Sequence, residues 1–111
     1  MIADLLREEL AQHGSVRPPW VLFPGTHPFD IAWRMGAGET HVMLWGAWEV
    51  ASTERINAIR KHGAVPADWA WWAAEAAGLI AGDDIYDLAF EDIRRQLVTV
   101  GITVDGEPSP D

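Results

Sequence analysis

The run from Met35 to Val50 constrains the fold more than any other part of the chain. A helical wheel puts apolar residues on nearly every side of it, and a helix of that kind is buried. Its alanine, methionine and leucine content and its few β-branched residues favour a helix over a buried strand. We therefore predict a buried central helix over residues 39–51, with Gly36 and Gly38 forming the turn that leads into it.

Local signals predict shorter helices on both sides of this element. Residues 2–13 are amphipathic, with Arg7, Glu8 and Glu9 facing outward and Gly14 at the C-cap. Three prolines make residues 15–25 a connector, in which residues 20–23 are expected to lie extended. Thr26 is expected to cap a short helix that ends at Gly36.

The second half of the chain is expected to be helical as well. A helix from Ser52 or Thr53 to His62 should stop at Gly63, and the proline at position 66 signals the start of the next helix. Asp83 or Asp84 is expected to cap a last helix, whose apolar residues would be Ile85, Tyr86, Ala89, Phe90, Ile93 and Leu97. The β-branched residues 99–104 allow a short extended piece.

These elements predict an all-α protein. The 111 residues, of which 49% are hydrophobic, suffice for one compact domain of about five to six short helices around the central helix, with little or no sheet. We assign residues 1–104 to that domain and residues 105–111 to a disordered C-terminal tail. The chain has no cysteine and no apolar run long enough to span a bilayer, so we expect a cytoplasmic protein without membrane contact.

Charge is distributed unevenly along the chain. The net charge is −9, and the stretch 62–93 contains no Lys or Arg but has seven acids: Asp68, Glu75, Asp83, Asp84, Asp87, Glu91 and Asp92. Direct binding to nucleic acid is disfavoured, because it requires cations that displace counterions from phosphates. An acidic surface of this kind suits a basic protein partner, or it serves only solubility.

Five polar residues stand amid apolar ones and form the predicted polar cluster: His27, Asp30, Arg34, Glu39 and His41. In one interpretation Arg34 clamps Asp30 and Glu39 and has a structural role. In the other, His27 or His41 acts as a general base in a small enzyme or ligand-binding site. The cluster lacks a recognised metal-binding pattern, and the two glycines at 36 and 38 do not complete a phosphate loop, so we expect no metal and no cofactor.

Seven tryptophans are many for a chain of this length. Most should build the core, but Trp20, in the proline connector, and Trp71, beside Glu75, are the candidates for exposure. An exposed Trp71 among acids would suit an interface with a basic partner. The alternative is that Trp71 packs under the C-terminal helix or against a second copy of the chain. On a single last helix, Asp84, Asp87 and Glu91 would share one face.

The run His27-Pro28-Phe29-Asp30-Ile31-Ala32-Trp33-Arg34-Met35-Gly36-Ala37-Gly38-Glu39 resembles a family of small bacterial proteins that share an HPxxxxWRMGxGE stretch followed by Trp-rich helices. The resemblance covers residues 23–72. The chain departs from it at residues 63–66, where the family has several prolines. The resemblance implies no catalytic residues and no settled activity.

Two hypotheses follow. The first is a non-enzymatic acidic protein, monomer or homodimer, that recognises and inhibits a basic partner, as an immunity protein inhibits a co-encoded toxin or nucleic-acid enzyme. Its expected contact residues are Asp68, Trp71, Glu75, Asp83, Asp84, Asp87 and Glu91. The second is a small enzyme or ligand-binding domain whose site is the predicted polar cluster.

Overall fold

The computed structural model describes residues 1–81 and 87–109. The described residues form six α-helices, two 3-10 helices and one pair of very short parallel strands, which confirms the all-α prediction. The chain divides into two compact units, residues 1–50 (unit 1) and 51–111 (unit 2). None of the described helices is both long and apolar enough to cross a bilayer.

Unit 1 contains three α-helices and a 3-10 helix. Helix α1 spans Ile2–His13, α2 spans Pro19–Leu22, the 3-10 helix spans Ile31–Arg34 and α3 spans Gly36–Ala47. Helix α1 ends as predicted: Gly14 has φ 75°, and its N–H donates to the carbonyl of Leu10. Helix α3 packs against α1, α2 and the 3-10 helix and is therefore the central element of unit 1.

Burial of α3 is one-sided, which corrects the expectation of burial on nearly every side. Leu44 and Trp45 are buried, but Met43 is 51% exposed. The helix also begins earlier than predicted, so Gly36 and Gly38 lie in its first turn. Gly36 has φ 61°, which explains why a glycine stands where the extended chain at Met35 enters the helix.

The proline connector is helical where the sequence predicted an extended chain. Pro19 occupies the first turn of α2, where its fixed φ and missing N–H are tolerated. This turn directs Trp20 into the core, where it is 6% exposed, so the expectation of an exposed Trp20 is wrong. The adjacent core of unit 1 contains Trp33 and an edge-to-face pair of Trp45 and Trp48, with centroids 5.5 Å apart.

Unit 2 combines three α-helices with the strand pair. Its elements are α4 (Ser52–Lys61), β1 (Val65–Pro66), a 3-10 helix (Ala67–Trp69), α5 (Ala70–Ala76), α6 (Phe90–Thr99) and β2 (Val104–Asp105). Helix α4 agrees with the prediction, and Gly63, with φ 87°, follows its end. In α5, Ala70, Ala73 and Ala74 are completely buried, so α6 packs closely against small side chains.

The strands explain two departures from the sequence-based prediction. Val65 pairs with Val104 and Pro66 with Asp105, so the proline at 66 closes a strand and the α-helix starts only at Ala70. The buried Val65 donates its N–H to the carbonyl of Thr103 at 2.8 Å. The predicted extended piece at 99–104 is present only at its end, because α6 continues to Thr99.

The C-terminal part of unit 2 also differs from expectation. Asp105 belongs to β2, and Ser109 donates from its N–H and its hydroxyl to the Asp68 carboxylate, at 2.6 and 2.7 Å. These contacts attach part of the predicted tail to the unit. Helix α6 starts at Phe90, after an extended Ala89, and the predicted caps Asp83 and Asp84 lie outside the described residues.

The packing of α3 can be tested by a substitution at Gly38. A Cβ at this position would overlap the backbone carbonyl of Ala32, which has little room to move. We expect Gly38→Ala to lower the free energy of unfolding by about 1–3 kcal/mol, as overpacking does. Gly46→Ala is the matched control in the same helix, since nothing lies within 4 Å of its Cβ position. It should stabilise by about 0.5 kcal/mol. Equal effects in urea denaturation would contradict this packing.

Candidate functional site

The structure does not bring the predicted polar cluster together. Asp30 is exposed, precedes the 3-10 helix and accepts a hydrogen bond from the N–H of Ala32 at 2.9 Å. Arg34 and Glu39 are exposed as well, and no ion pair among the described residues joins either of them to Asp30. The clamp hypothesis is therefore wrong, because a carboxylate that caps the helix is not aligned with the side chain four residues later.

The two histidines of the cluster also lie in different environments. His27 is exposed, and its Nδ1 accepts from the N–H of Phe29 at 3.1 Å. His41 is buried, only 3% exposed, and its Nε2 is 2.6 Å from the carbonyl oxygen of Arg17. A carbonyl oxygen can only accept, so Nε2 of His41 is the donor in this hydrogen bond. The histidines therefore do not form a joint catalytic site.

His41 instead belongs to a constellation with Glu9 and Arg17. The guanidinium of Arg17 binds the Glu9 carboxylate with two hydrogen bonds, Nε to Oε2 at 2.8 Å and Nη2 to Oε1 at 2.9 Å. The backbone N–H of Arg17 adds a third at 3.0 Å. Because the Arg17 carbonyl also accepts a hydrogen bond from Nε2 of His41, these bonds connect α1, the connector and α3.

The Glu9 carboxyl is charged although it is only 7% exposed. Burial raises its pKa, but the hydrogen bonds from the side chain and backbone of Arg17, with the charges of Arg17 and His41, outweigh burial and leave the pKa below the ordinary 4.5. The hydrogen bond to Glu9 in turn raises the pKa of Arg17. Both partners therefore remain ionised and bound to each other at neutral pH.

The sequence analysis missed Glu9, which it placed on the outer face of α1. The signal was present: Glu9 follows Leu5 by four residues, and this spacing puts both on one side of a helix. No local pattern in the sequence predicted that Arg17 would bind Glu9, because the position of Arg17 depends on how the connector folds back. Because Glu9 is charged, it was expected to face water despite this spacing.

The constellation borders a cleft of about 320 Å³ within unit 1, which we call the α1–α3 cleft. Its lining includes both apolar and polar side chains. The lining residues are Leu5, Glu8, Glu9, Gln12, Arg17, Leu22, Ala37, Thr40, His41 and Leu44. This volume is at the lower end of the range of small-molecule sites. In the described parts of the chain, no three His, Asp or Glu side chains gather as ligands of a metal ion.

The acidic residues predicted to bind a partner have different surroundings in unit 2. Glu75 and Asp87 are exposed, Asp68 accepts from Ser109, and the Glu91 carboxylate binds Arg94 at 2.6 Å. Because α6 begins at Phe90, Asp87 and Glu91 are not on one helix, which corrects the predicted acidic face. Asp83 and Asp84 lie outside the described residues.

Trp71 is half-buried and packs as the alternative interpretation proposed. Its indole N–H donates to the carbonyl of Leu88 at 2.9 Å, and its ring lies 5.7 Å from that of Phe90 at the start of α6. The expectation of an exposed Trp71 is therefore wrong. The ring connects α5 to the segment that precedes α6.

Comparison with known proteins gives no match. No family model fits the chain, and no curated protein or solved structure matches it significantly. The resemblance of residues 23–72 to a small bacterial family therefore stays a prediction.

The Glu9–Arg17 pair should stabilise the protein in a pH-dependent way. We expect Glu9→Gln to lower the free energy of unfolding by about 1–3 kcal/mol at pH 7, because it leaves a partly buried guanidinium without its carboxylate. The lowered pKa means that this contribution is present above the ordinary value of 4.5 and is lost as pH falls below it. The difference between wild type and variant should therefore shrink towards pH 3.

Asp4→Asn is the matched control on the same helix. The Asp4–Arg7 pair has a similar distance, 3.0 Å, but both side chains are about three-quarters exposed. We expect it to change the stability by about 0.5 kcal/mol or less. Denaturation curves of both variants at pH 7 and pH 3 provide the comparison. A loss from Asp4→Asn as large as that from Glu9→Gln would contradict the role of the buried pair.

Trp71 can be tested for a structural role. Trp71→Phe keeps an aromatic ring beside Phe90 but removes the donor to Leu88. We expect a loss of about 0.5–1.5 kcal/mol in unfolding free energy, the usual contribution of one hydrogen bond. Unchanged thermal and urea stability would contradict this role, and Trp71 would then again be a candidate contact residue for a partner.

Proposed function

We propose that this protein is a non-enzymatic binding protein that recognises a basic protein partner through acidic groups of unit 2. The observation that carries the proposal is the stretch 62–93, with seven acids and no Lys or Arg in a chain of net charge −9. A region of one sign attracts a partner of the opposite sign and repels nucleic acid and acidic proteins. Inhibition of that partner, as by an immunity protein, is the specific form that we propose.

The exposed acids without a protein partner support this function. Glu75 and Asp87 are exposed, and among the described residues neither carboxylate forms an ion pair or accepts a hydrogen bond. Their charges are therefore available to a partner. Glu91 is also exposed but shares its charge with Arg94, which reduces its contribution. Trp71 contributes indirectly, because it holds the segment that precedes α6.

The enzyme alternative depended on the predicted polar cluster, whose residues lie in different environments. A general base requires His27 or His41 beside a carboxylate that orients it and beside a site for substrate. His27 is instead bound to its own turn, and Nε2 of His41 faces a backbone carbonyl. The α1–α3 cleft is the one observation that favours a ligand-binding role, and of the predicted polar cluster its lining includes only His41.

The proposal is tested by two double charge reversals of equal size. Tagged protein is used to capture basic proteins from its native host, and the captured protein is purified. Its association rate is then measured with wild type, with Glu75→Lys/Asp87→Lys and with Glu39→Lys/Glu49→Lys. The control pair carries exposed acids of unit 1, outside the acidic stretch.

We expect the unit 2 reversal to slow association by about tenfold or more at low salt, because electrostatic attraction mainly raises the association rate. The unit 1 reversal should have a clearly smaller effect, and added salt should reduce the difference between the two. Capture of no basic protein, or equal slowing by both reversals, would contradict the proposal.

A further inference from the structure

The α1–α3 cleft in unit 1 has both apolar and polar lining residues, and together they favour one class of ligand. Its apolar lining consists of Leu5, Leu22, Ala37 and Leu44, which come from α1, α2 and α3. These residues offer hydrocarbon surface to a short aliphatic chain, whose transfer out of water is favourable. The cleft is too polar elsewhere for a purely apolar ligand, so the chemistry of its polar groups decides what it binds.

One positive charge in the cleft is already neutralised. The Arg17 guanidinium is bound by the Glu9 carboxylate through Nε and Nη2. Glu8, the residue before Glu9 on α1, also lines the cleft, but it is exposed and forms no ion pair among the described residues. The formal charge of the lining is therefore negative, and the carboxylate of Glu8 carries the excess.

The remaining polar groups offer acceptors. The hydroxyl of Thr40 donates to the carbonyl of Gly36 at 3.2 Å, so its lone pairs are what it presents to a ligand. Nε2 of His41 is already the donor to the Arg17 carbonyl. Gln12 adds an amide oxygen. A ligand with several N–H donors and a positive charge complements this set.

From these groups we infer that the α1–α3 cleft binds a primary aliphatic ammonium group, either of a free amine or of a lysine side chain on another protein. Its three N–H donors match the acceptors, its charge matches Glu8, and its methylene chain matches the leucines. A carboxylate or phosphate would instead be repelled by the excess negative charge of Glu8. The inference does not depend on the basic-partner proposal, which concerns the acids of unit 2.

The test is an NMR titration of ¹⁵N-labelled protein with four probes. Butylammonium is the free amine, and Nα-acetyl-lysine methylamide presents the same group on a peptide backbone. Butanol and butyrate keep the carbon chain but replace the cation by a neutral and an anionic group. We expect saturable shifts at Glu8, Thr40 and His41 with one or both ammonium probes, with a dissociation constant in roughly the millimolar range for so small a ligand.

Two matched variants locate the binding. Glu8→Gln should weaken binding of the ammonium probe about fivefold or more, and because Glu8 is exposed the fold should be retained. Glu39→Gln removes an exposed acid of unit 1 outside the cleft and should leave the affinity unchanged. Binding of the lysine derivative at least as tightly as butylammonium identifies a protein side chain as the ligand. Binding of butylammonium alone identifies a free amine.

Three results would overturn the inference. The first is the absence of saturable shifts at the cleft with both ammonium probes. The second is binding of butanol or butyrate as tightly as butylammonium. The third is an equal loss of affinity in Glu8→Gln and Glu39→Gln. Because no partner protein is present in the titration, failure here leaves the proposal for unit 2 to its own experiment.

Discussion

The buried carboxylate of Glu9 is the constraint on which unit 1 depends. A charge that leaves water needs a partner of opposite charge and further hydrogen bonds, and Arg17 supplies both through its side chain and its backbone N–H. To do so, the chain after α1 must turn back along the helix, which places the Arg17 carbonyl beside His41 of α3. The ion pair thus links the connector to α1, and the carbonyl of the same Arg17 links the connector to α3.

In unit 2, close packing of the helices depends on small side chains. The buried alanines of α5 leave room for α6, whose Ile93 and Leu97 are completely buried. The strands β1 and β2 are parallel, so the chain between them must cross from one end of the pair to the other. Helices α5 and α6 lie within this crossover, and the two-residue strands hold its ends together.

The two units also differ in what they offer to other molecules. Unit 2 has exposed acids on its surface, Glu75 and Asp87 among them, and charge of this kind acts at a distance on a large partner. Unit 1 has a cleft in which polar groups stand beside leucines, and such a site acts at short range on a small group. The proposed binding of a basic partner depends mainly on composition, whereas the proposed ammonium site depends on how three helices are placed.

Local signals were sufficient to predict the all-α class and the limits of α1 and α4, because glycines at 14 and 63 and helical periodicity act on neighbouring residues. Tertiary structure determined the contacts between residues that are far apart in the chain. It pairs Val65 with Val104 and brings His41 to the carbonyl of Arg17. A side chain with several possible partners takes the one that packing brings near, and periodicity along a single element cannot identify that partner.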